Sequence, residues 1–229
     1  MPTVSVIIPT LNEADQLPGL LDYLHRISDR QVVDLIVVDG GSTDHTVAWA
    51  RKRGVRVLVS DRPGRARQMN LGAAQARGDV LQFIHADTRP PESNFQDIRS
   101  AIHDGYDLGC FTYRFDSSHP LLRINGWFTR LDRLWCRGGD QAIFIRRDLF
   151  QRLGGYPDHW QIMEEYDLLQ RARQQGRFII VRKDSLVSAR KYKDRPYLRV
   201  QLANLIVFQM FRLGYSQRKL LDTYRNLLG

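Results

Sequence analysis

Short apolar runs recur through roughly the first hundred residues, spaced so that one helix fits between each pair. Val4-Ser5-Val6-Ile7-Ile8, Val33 to Val38, Val55 to Val59 and Val80 to Ile84 have the length and β-branched content of buried strands. Between the first two, Leu17, Leu20, Leu21, Leu24 and Ile27 follow helical spacing. Arg65 to Arg77 reads as a helix stopped by Gly78, and a helix opened by Ser42 or Asp44 as N-cap is stopped by Gly54. Strands alternating with such helices form βαβ units, so the pattern predicts an α/β fold with a mostly parallel, Rossmann-like sheet flanked by helices.

The strand ends carry the chemistry. The first run closes in Pro9-Thr10-Leu11-Asn12-Glu13, and the second in Asp39-Gly40-Gly41-Ser42-Thr43-Asp44. The fourth closes in His85-Ala86-Asp87, ahead of a double proline, Pro90-Pro91, that forbids its continuation. In open α/β sheets ligands bind at the carboxyl ends of strands. Three carboxylates along one edge repel one another unless a divalent cation and hydrogen-bond donors of a ribose and base satisfy them. The Gly40-Gly41 pair lets backbone approach a flat ligand closely. Each acid also has an ordinary explanation: Asp87 in an Asx-turn, Asp39 as a cap, Glu13 at a helix N-terminus.

Beyond residue 105 strands are expected at Asp107 to Phe115 and Gln141 to Arg146, separated by an aromatic-rich helical piece around Trp127 to Trp135. A turn follows at Gly154-Gly155-Tyr156-Pro157, then a helix over Glu164 to Gln175 and short strands at Phe178 to Val181 and Leu186 to Ala189. Two helices, about Pro196–Leu213 and Ser216–Leu227, close the sequence.

Charge narrows the partners. The formal net charge is +9, and between Arg171 and Arg199 ten Lys/Arg face two acids, Asp184 and Asp194. Such a surface suits phosphates or anionic lipid, and no sequence signature of nucleic-acid recognition accompanies it. Cys110 and Cys136 match no metal-ligand spacing and build no disulfide framework, so a reducing cytosol is expected. No run reaches the roughly 18 apolar residues of a membrane span. The absence of G-x-G-x-x-G after the first strand, and of G-x-x-x-x-G-K-[ST] anywhere, argues against dinucleotide-dependent dehydrogenases and P-loop NTPases.

Taken in order, Val4 to Glu13, the Val38-Asp39-Gly40-Gly41-Ser42-Thr43-Asp44 turn and the strand to Asp87 resemble the family-2 glycosyltransferases of the GT-A fold. So do Gly139-Asp140-Gln141 and Met163-Glu164-Glu165-Tyr166-Asp167-Leu168 with Arg171. Gly64-Arg65-Ala66-Arg67-Gln68-Met69-Asn70-Leu71-Gly72 and Ser188-Ala189-Arg190-Lys191-Tyr192 are similar to a bacterial subgroup of short, single-domain members.

The resemblance implies a GT-A domain over 1–195, with a nucleotide-binding half (1–105), an acceptor and catalytic half (106–195), and a helical appendage over 196–229. It implies an inverting transfer from a nucleotide-diphosphate sugar, UDP-linked, to an unknown acceptor hydroxyl. Asp39 would meet the base, near Glu13, Gly41 and the backbone of Pro9, Thr10 and Leu11. Arg65, Gln68 and Asn70 would line the donor site, and Arg190 and Lys191 would face the diphosphate. His85 and Asp87 occupy the family's Asp-x-Asp, so they would hold Mn2+ or Mg2+; His85 replaces the first acid and could also bond the ribose. Glu164-Glu165 stands where the family has Glu-Asp, so Glu165 is the expected base, with Glu164 and Asp167 as alternatives. Asp140 and Trp160 fall on the acceptor side.

The C-terminal helix carries Leu202, Leu205, Ile206, Met210 and Leu213 in one stripe, widened by Val207, Phe208 and Phe211 and flanked by arginines. It could lie on the inner face of a membrane, pack on the domain, or meet a second copy in a homodimer. Two other functions fit part of the pattern: a sugar-1-phosphate nucleotidyltransferase, and a non-catalytic nucleotide- or membrane-binding protein of the same fold.

Overall fold

The computed structural model describes residues 1–29, 32–193 and 195–229. Asp194, one of the two acids counted in the basic stretch, lies outside the described residues.

Strands β1 (Val4–Thr10), β2 (Val32–Asp39), β3 (Arg56–Val59) and β4 (Val80–Phe83) alternate with helices α1 (Leu17–Ile27), α2 (Thr46–Lys52) and α3 (Arg65–Gln75). These four strands are parallel, in the order β3-β2-β1-β4. The sheet continues through β7 (Phe144–Arg146), β6 (Leu108–Phe115), β8 (Phe178–Val187) and the two-residue β5 (Thr88–Arg89), making eight strands. The mixed, mostly parallel sheet flanked by helices is the architecture the apolar runs call for.

Both faces of the sheet are covered, which is why its strands read as continuous apolar runs rather than alternating ones. On one face Val4, Val6 and Ile8 pack with Leu17, Leu20, Leu21 and Leu24 of α1 and with Phe95 and Ile98. On the other, Ile7, Val38 and Leu81 pack with Met69 and Ala73 of α3, Leu149 and Leu168. Gly72 lets α3 approach this closely: a Cβ there would lie 3.0 Å from Val38 Cγ2.

Several elements differ from the expected pattern, each for a local reason. Pro9 does not end β1. Ile7 O accepts from Ile84 N on the β4 side and Thr10 O from Gly40 N on the β2 side, so alternation turns the missing N–H of Pro9 toward β4, whose ladder stops at Phe83. Helix α4 (Asn94–His103) is additional to the expected elements, and Phe95, Ile98, Ala101 and Ile102 bury one face of it. The helix expected around Trp127 to Trp135 is α5 (Pro120–Phe128), set back because Pro120 suits the first helical position and His119 caps it. The strand expected from Gln141 begins only at Phe144, since Ala142 is left-handed with φ 46°. A short helix, α6 (Arg147–Arg152), is likewise additional. The two short strands of residues 178–189 are one strand, β8, whose pairing with β6 jumps from Val181 to Asp184 at a bulge.

Helix α7 (Glu164–Ala172) ends earlier than Gly176, and α8 (Tyr197–Arg212) and α9 (Gln217–Leu228) pack against the body. Val207, Phe208 and Leu220 cluster with Met163 and Trp160, and Val200 and Ala203 meet Leu228. One face of α8 is therefore buried, while Leu198, Leu202 and Leu205 stay exposed. Among the described residues, no helix is long and apolar enough to cross a membrane.

At the far end of the sheet from the acidic loops, the buried Asp34 accepts from Arg77 Nε, Nη2 and backbone N–H and from Ser5 Oγ. Burial opposes ionisation there, but these donors hold its carboxyl below the usual carboxylate range. A depressed folded pKa contributes stability above the unfolded value near 3.9, and that stability is lost as pH falls through the folded pKa. Asp34→Asn should therefore lower unfolding stability by about 2 kcal/mol at pH 7. Urea denaturation should show the deficit at neutral pH and a smaller one at acid pH.

Candidate active site

Because β2, β1 and β4 are neighbours, the loops after them open side by side. The first two loops are tied together. Asn12, left-handed at φ 54°, donates its N–H to Ser42 Oγ and accepts from Thr43 N. Glu13 N donates to Thr46 Oγ1, and Asp44 Oδ1 takes the N–H of Thr46 in an Asx-turn that leads into α2, so the N-cap position falls to His45 rather than to Ser42 or Asp44. Ser42 instead joins the Asp39 turn: Asp39 Oδ2 accepts from Gly41 N and Ser42 N at 2.9 and 2.8 Å, and Oδ1 from Ser42 Oγ. Asp39, 2% exposed, thus shapes its own loop, and Thr10 Oγ1 adds a longer bond to its Oδ1 at 3.5 Å. Gly41 adopts φ 96°, with open space where a Cβ would stand.

The chain's later half brings a counter-charge to these loops. Arg190, in a short 3-10 turn over Arg190–Tyr192, makes a two-pronged pair with Glu13 at 2.8 and 2.6 Å. Its Nη2 also lies 3.1 Å from Asp87 Oδ2. One guanidinium therefore joins the end of β1 to the end of β4.

Deeper in, His85 stands between two acids. Its Nδ1 lies 3.1 Å from Asp140 Oδ1 and its Nε2 3.5 Å from Glu165 Oε1. Burial works against a charged ring, but Asp140 and then Glu165 outweigh it and raise the pKa to about 10. Burial, reinforced by Asp140, pushes the Asp87 carboxyl up. For Asp140, the enclosed setting opposes ionisation but the contact with His85 prevails and holds it low. His85, Asp87 and Asp140 can each offer one ligand atom, all within 4.8 Å of one another. Two carboxylates and an imidazole suit Mn2+ better than an all-oxygen set would. Asp140, expected on the acceptor side, thus lies beside the two residues expected to hold metal.

Glu164 and Glu165 open α7, where the helix dipole favours acids. Both are buried, at 0% and 4% exposure. Glu164 Oε1 accepts from Arg65 Nε at 2.5 Å. Glu165 Oε1 is 3.7 Å from the same nitrogen, and it has no geometric hydrogen-bond partner among the described residues. Burial and the neighbouring Glu165 push Glu164 up; for Glu165, burial is overcome by Arg65 and His85, which hold it down. Glu165 is thus the ionised member of the pair, with an oxygen free to take a proton. Gly139 makes the room: a Cβ there would lie 2.6 Å from His85 Nε2 and collide with Glu165 Oε1. Asp167 is turned away, paired with Arg171.

Other expected site residues serve the scaffold. Gln68 is buried, and its Nε2 donates to Thr10 O and Val38 O, locking β1 and β2 to α3. Asn70 clamps the turn before α7, exchanging bonds with the backbone of Tyr156 and donating to Asp158. Trp160 packs edge-on to Phe211 of α8, at 5.8 Å between centroids. Lys191 donates to Tyr224 OH, and Leu11 is exposed on the loop after β1.

A family model described as "Glycosyl transferase family 2" matches residues 5–154. The chain belongs to that family. A PGL/p-HBAD biosynthesis glycosyltransferase of Mycobacterium bovis is 34% identical over 177 residues, covering 72% of this chain and 68% of the relative. Two solved structures share the fold. One is a mannosyltransferase of Pyrobaculum calidifontis in complex with GDP-Man and Mn2+, with TM-score 0.72 and 20% identity, covering 99% of this chain and 70% of that one. The other is the glucosyl-3-phosphoglycerate synthase of Mycobacterium tuberculosis with Mn2+, UDP-glucose and phosphoglyceric acid, with TM-score 0.67 and 22% identity, covering 94% and 81%. The chain is thus a family-2 glycosyltransferase with a GT-A fold.

In this glycosyltransferase, Gly139→Ala displaces both His85 and Glu165 without touching the hydrophobic core. Turnover should fall by about a hundredfold, the usual cost of misplacing reacting groups by an ångström. Thermal unfolding should shift down by a few degrees, with the protein still folded at the assay temperature. A melt and a coupled nucleotide-release assay on the same preparation check both.

Proposed function

We propose that this enzyme is a metal-dependent, inverting glycosyltransferase that moves a sugar from a UDP-linked donor to an acceptor hydroxyl. The observation that carries the reading is the charge of the site. The carboxylates of Glu13, Asp87, Asp140, Glu164 and Glu165 converge on two guanidiniums, Arg65 and Arg190, and on the imidazole of His85, which would give up its proton on taking a metal. Such a cluster is short of positive charge, and the ligand set of His85, Asp87 and Asp140 suits a divalent ion. When bound there, Mn2+ or Mg2+ would offset the charge gathering on the departing diphosphate.

The residues of the chain divide the remaining work. The loops after β1 and β2, with Asp39, Gly41 and the Thr10 backbone, would seat the nucleotide. Arg190, already facing Asp87, would reach the diphosphate. Glu165 would accept the proton of the acceptor hydroxyl as its oxygen bonds to the anomeric carbon and the bond to the diphosphate breaks. Arg65 and His85 keep that carboxylate ionised. One base opposite the leaving group gives inversion. In this reading residues 1–105 serve the donor, 106–195 the acceptor and the base, and 196–229 brace α7.

With UDP-glucose, UDP-GlcNAc and GDP-mannose offered in turn, a UDP sugar should be consumed in the presence of Mn2+, and the product's anomeric proton should show inversion by NMR. Glu165→Gln should lower kcat by about a thousandfold with little change in donor affinity. Glu164→Gln should cost less. Asp87→Ala should abolish stimulation by the metal; full metal-stimulated activity in that variant would refute the assignment.

A further inference from the structure

An apolar ledge stands on the surface where α5 packs on β6. Helix α5 and the 3-10 turn over Leu134–Cys136 expose Leu121, Ile124, Trp127, Phe128 and Trp135. Three of these are about half exposed: Ile124 at 53%, Trp127 at 55% and Trp135 at 50%. The rings form one chain, with Trp127–Phe128 centroids 5.7 Å apart and Phe128–Trp135 5.6 Å. Burial of Leu122 and Gly126 against β6 fixes the helix, so the exposed rings are held outward by the fold. Trp135 precedes Asp140 by only five residues.

The ledge adjoins the N-terminus of α8. Asn125 of α5 bonds the hydroxyls of Tyr113 and Tyr197. One residue further along α8 begins the exposed stripe of Leu198, Leu202 and Leu205. The buried residues Val200, Ala203 and Val207 take the opposite side, which leaves these leucines 72%, 54% and 55% exposed among the described residues.

Basic groups rim this surface. Arg114 and Arg123, both exposed, have no ion-pair or hydrogen-bond partner among the described residues. They line a groove beside Trp127 that also contains Arg130. Of the acids nearby, Asp132 pairs with Arg173 and Asp184 with Arg130, while Asp116, bonded to the N–H of Ala189, keeps its charge against those of Arg114, Arg123 and the exposed Arg133. The rim is therefore cationic in effect, in a chain of net charge +9.

We propose that the α5 ledge and the α8 leucines dock on an anionic lipid bilayer, with Trp127, Trp135 and the leucines at the acyl boundary and Arg114 and Arg123 on headgroup phosphates. Tryptophan and arginine around an apolar face is the pattern of interfacial anchoring, where the ring's apolar body is buried and its polar edge stays wet. Charge complementarity selects the bilayer over a second copy of the chain: anionic headgroups supply the opposite charge, whereas a second copy brings the same net positive rim. Docking in this way would put the segment leading to Asp140 at the membrane surface. The inference stands on surface residues alone and does not depend on the donor or on the base.

Flotation with vesicles tests it. The full chain should float with phosphatidylcholine vesicles containing about 30% phosphatidylglycerol, much less with pure phosphatidylcholine, and less again in high salt. Its tryptophan emission should shift to the blue on binding. The pair Trp127→Ser and Trp135→Ser should lower partitioning by roughly tenfold or more, as should Arg114→Glu with Arg123→Glu. Circular dichroism confirms that each variant is folded, and an Arg62→Glu control, distant from the ledge and exposed, should bind as the parent does. Absence of flotation with anionic vesicles, or flotation that both double variants retain, would overturn the proposal. So would a concentration-dependent dimer in sedimentation that the tryptophan pair dissolves.

Discussion

Carboxylates brought together out of water must be met by positive charge or lose their own. That requirement runs through the site. Arg65 reaches from the start of α3 to both acids of α7, Arg190 ties Glu13 to Asp87, and His85 is clasped between Asp140 and Glu165. Each pair joins segments far apart in the sequence, so the charge cluster proposed to do the chemistry also holds the loops after β1 and β4 to the later half of the fold. Removing one cation would leave buried acids uncompensated, a far larger cost than the loss of a surface pair.

The same neighbours sort the two glutamates. They occupy the first turn of one helix, under one dipole, yet burial and mutual repulsion lift Glu164 while Arg65 and His85 lower Glu165. Adjacent acids with opposite shifts suit a site where one must stay ionised to accept a proton. Gly139 belongs to this arrangement as much as the charged groups do, because any side chain there would occupy the space of the imidazole and the carboxylate.

Much of the fold was legible because β1, β2 and β4 are buried on both faces and their helices are amphipathic. The acids at their ends were legible because strand ends are where such sheets bind ligands. What sequence spacing could not supply was long-range convergence. Asp140 lies 53 residues beyond Asp87, and only the closing of the sheet through β7 brings them together. Gln68 and Asn70 sit in a polar cluster that resembles an anion-binding helix start, but backbone carbonyls of β1 and β2 and the turn at Tyr156 take their amides. Helix α4 could have been found from the spacing of Phe95, Ile98 and Ile102. The ledge of α5 was harder to foresee, since an exposed tryptophan and a core tryptophan look alike in sequence.

The central claim is that His85, Asp87 and Asp140 share one divalent cation when the donor nucleotide is bound. Electron paramagnetic resonance of Mn2+ titrated into the protein with and without UDP tests it most directly. The account predicts one bound Mn2+ per chain that UDP tightens, and its loss in Asp140→Ala. Mn2+ that stays free with UDP present, or that binds the Asp140→Ala protein as well as the parent, would contradict it.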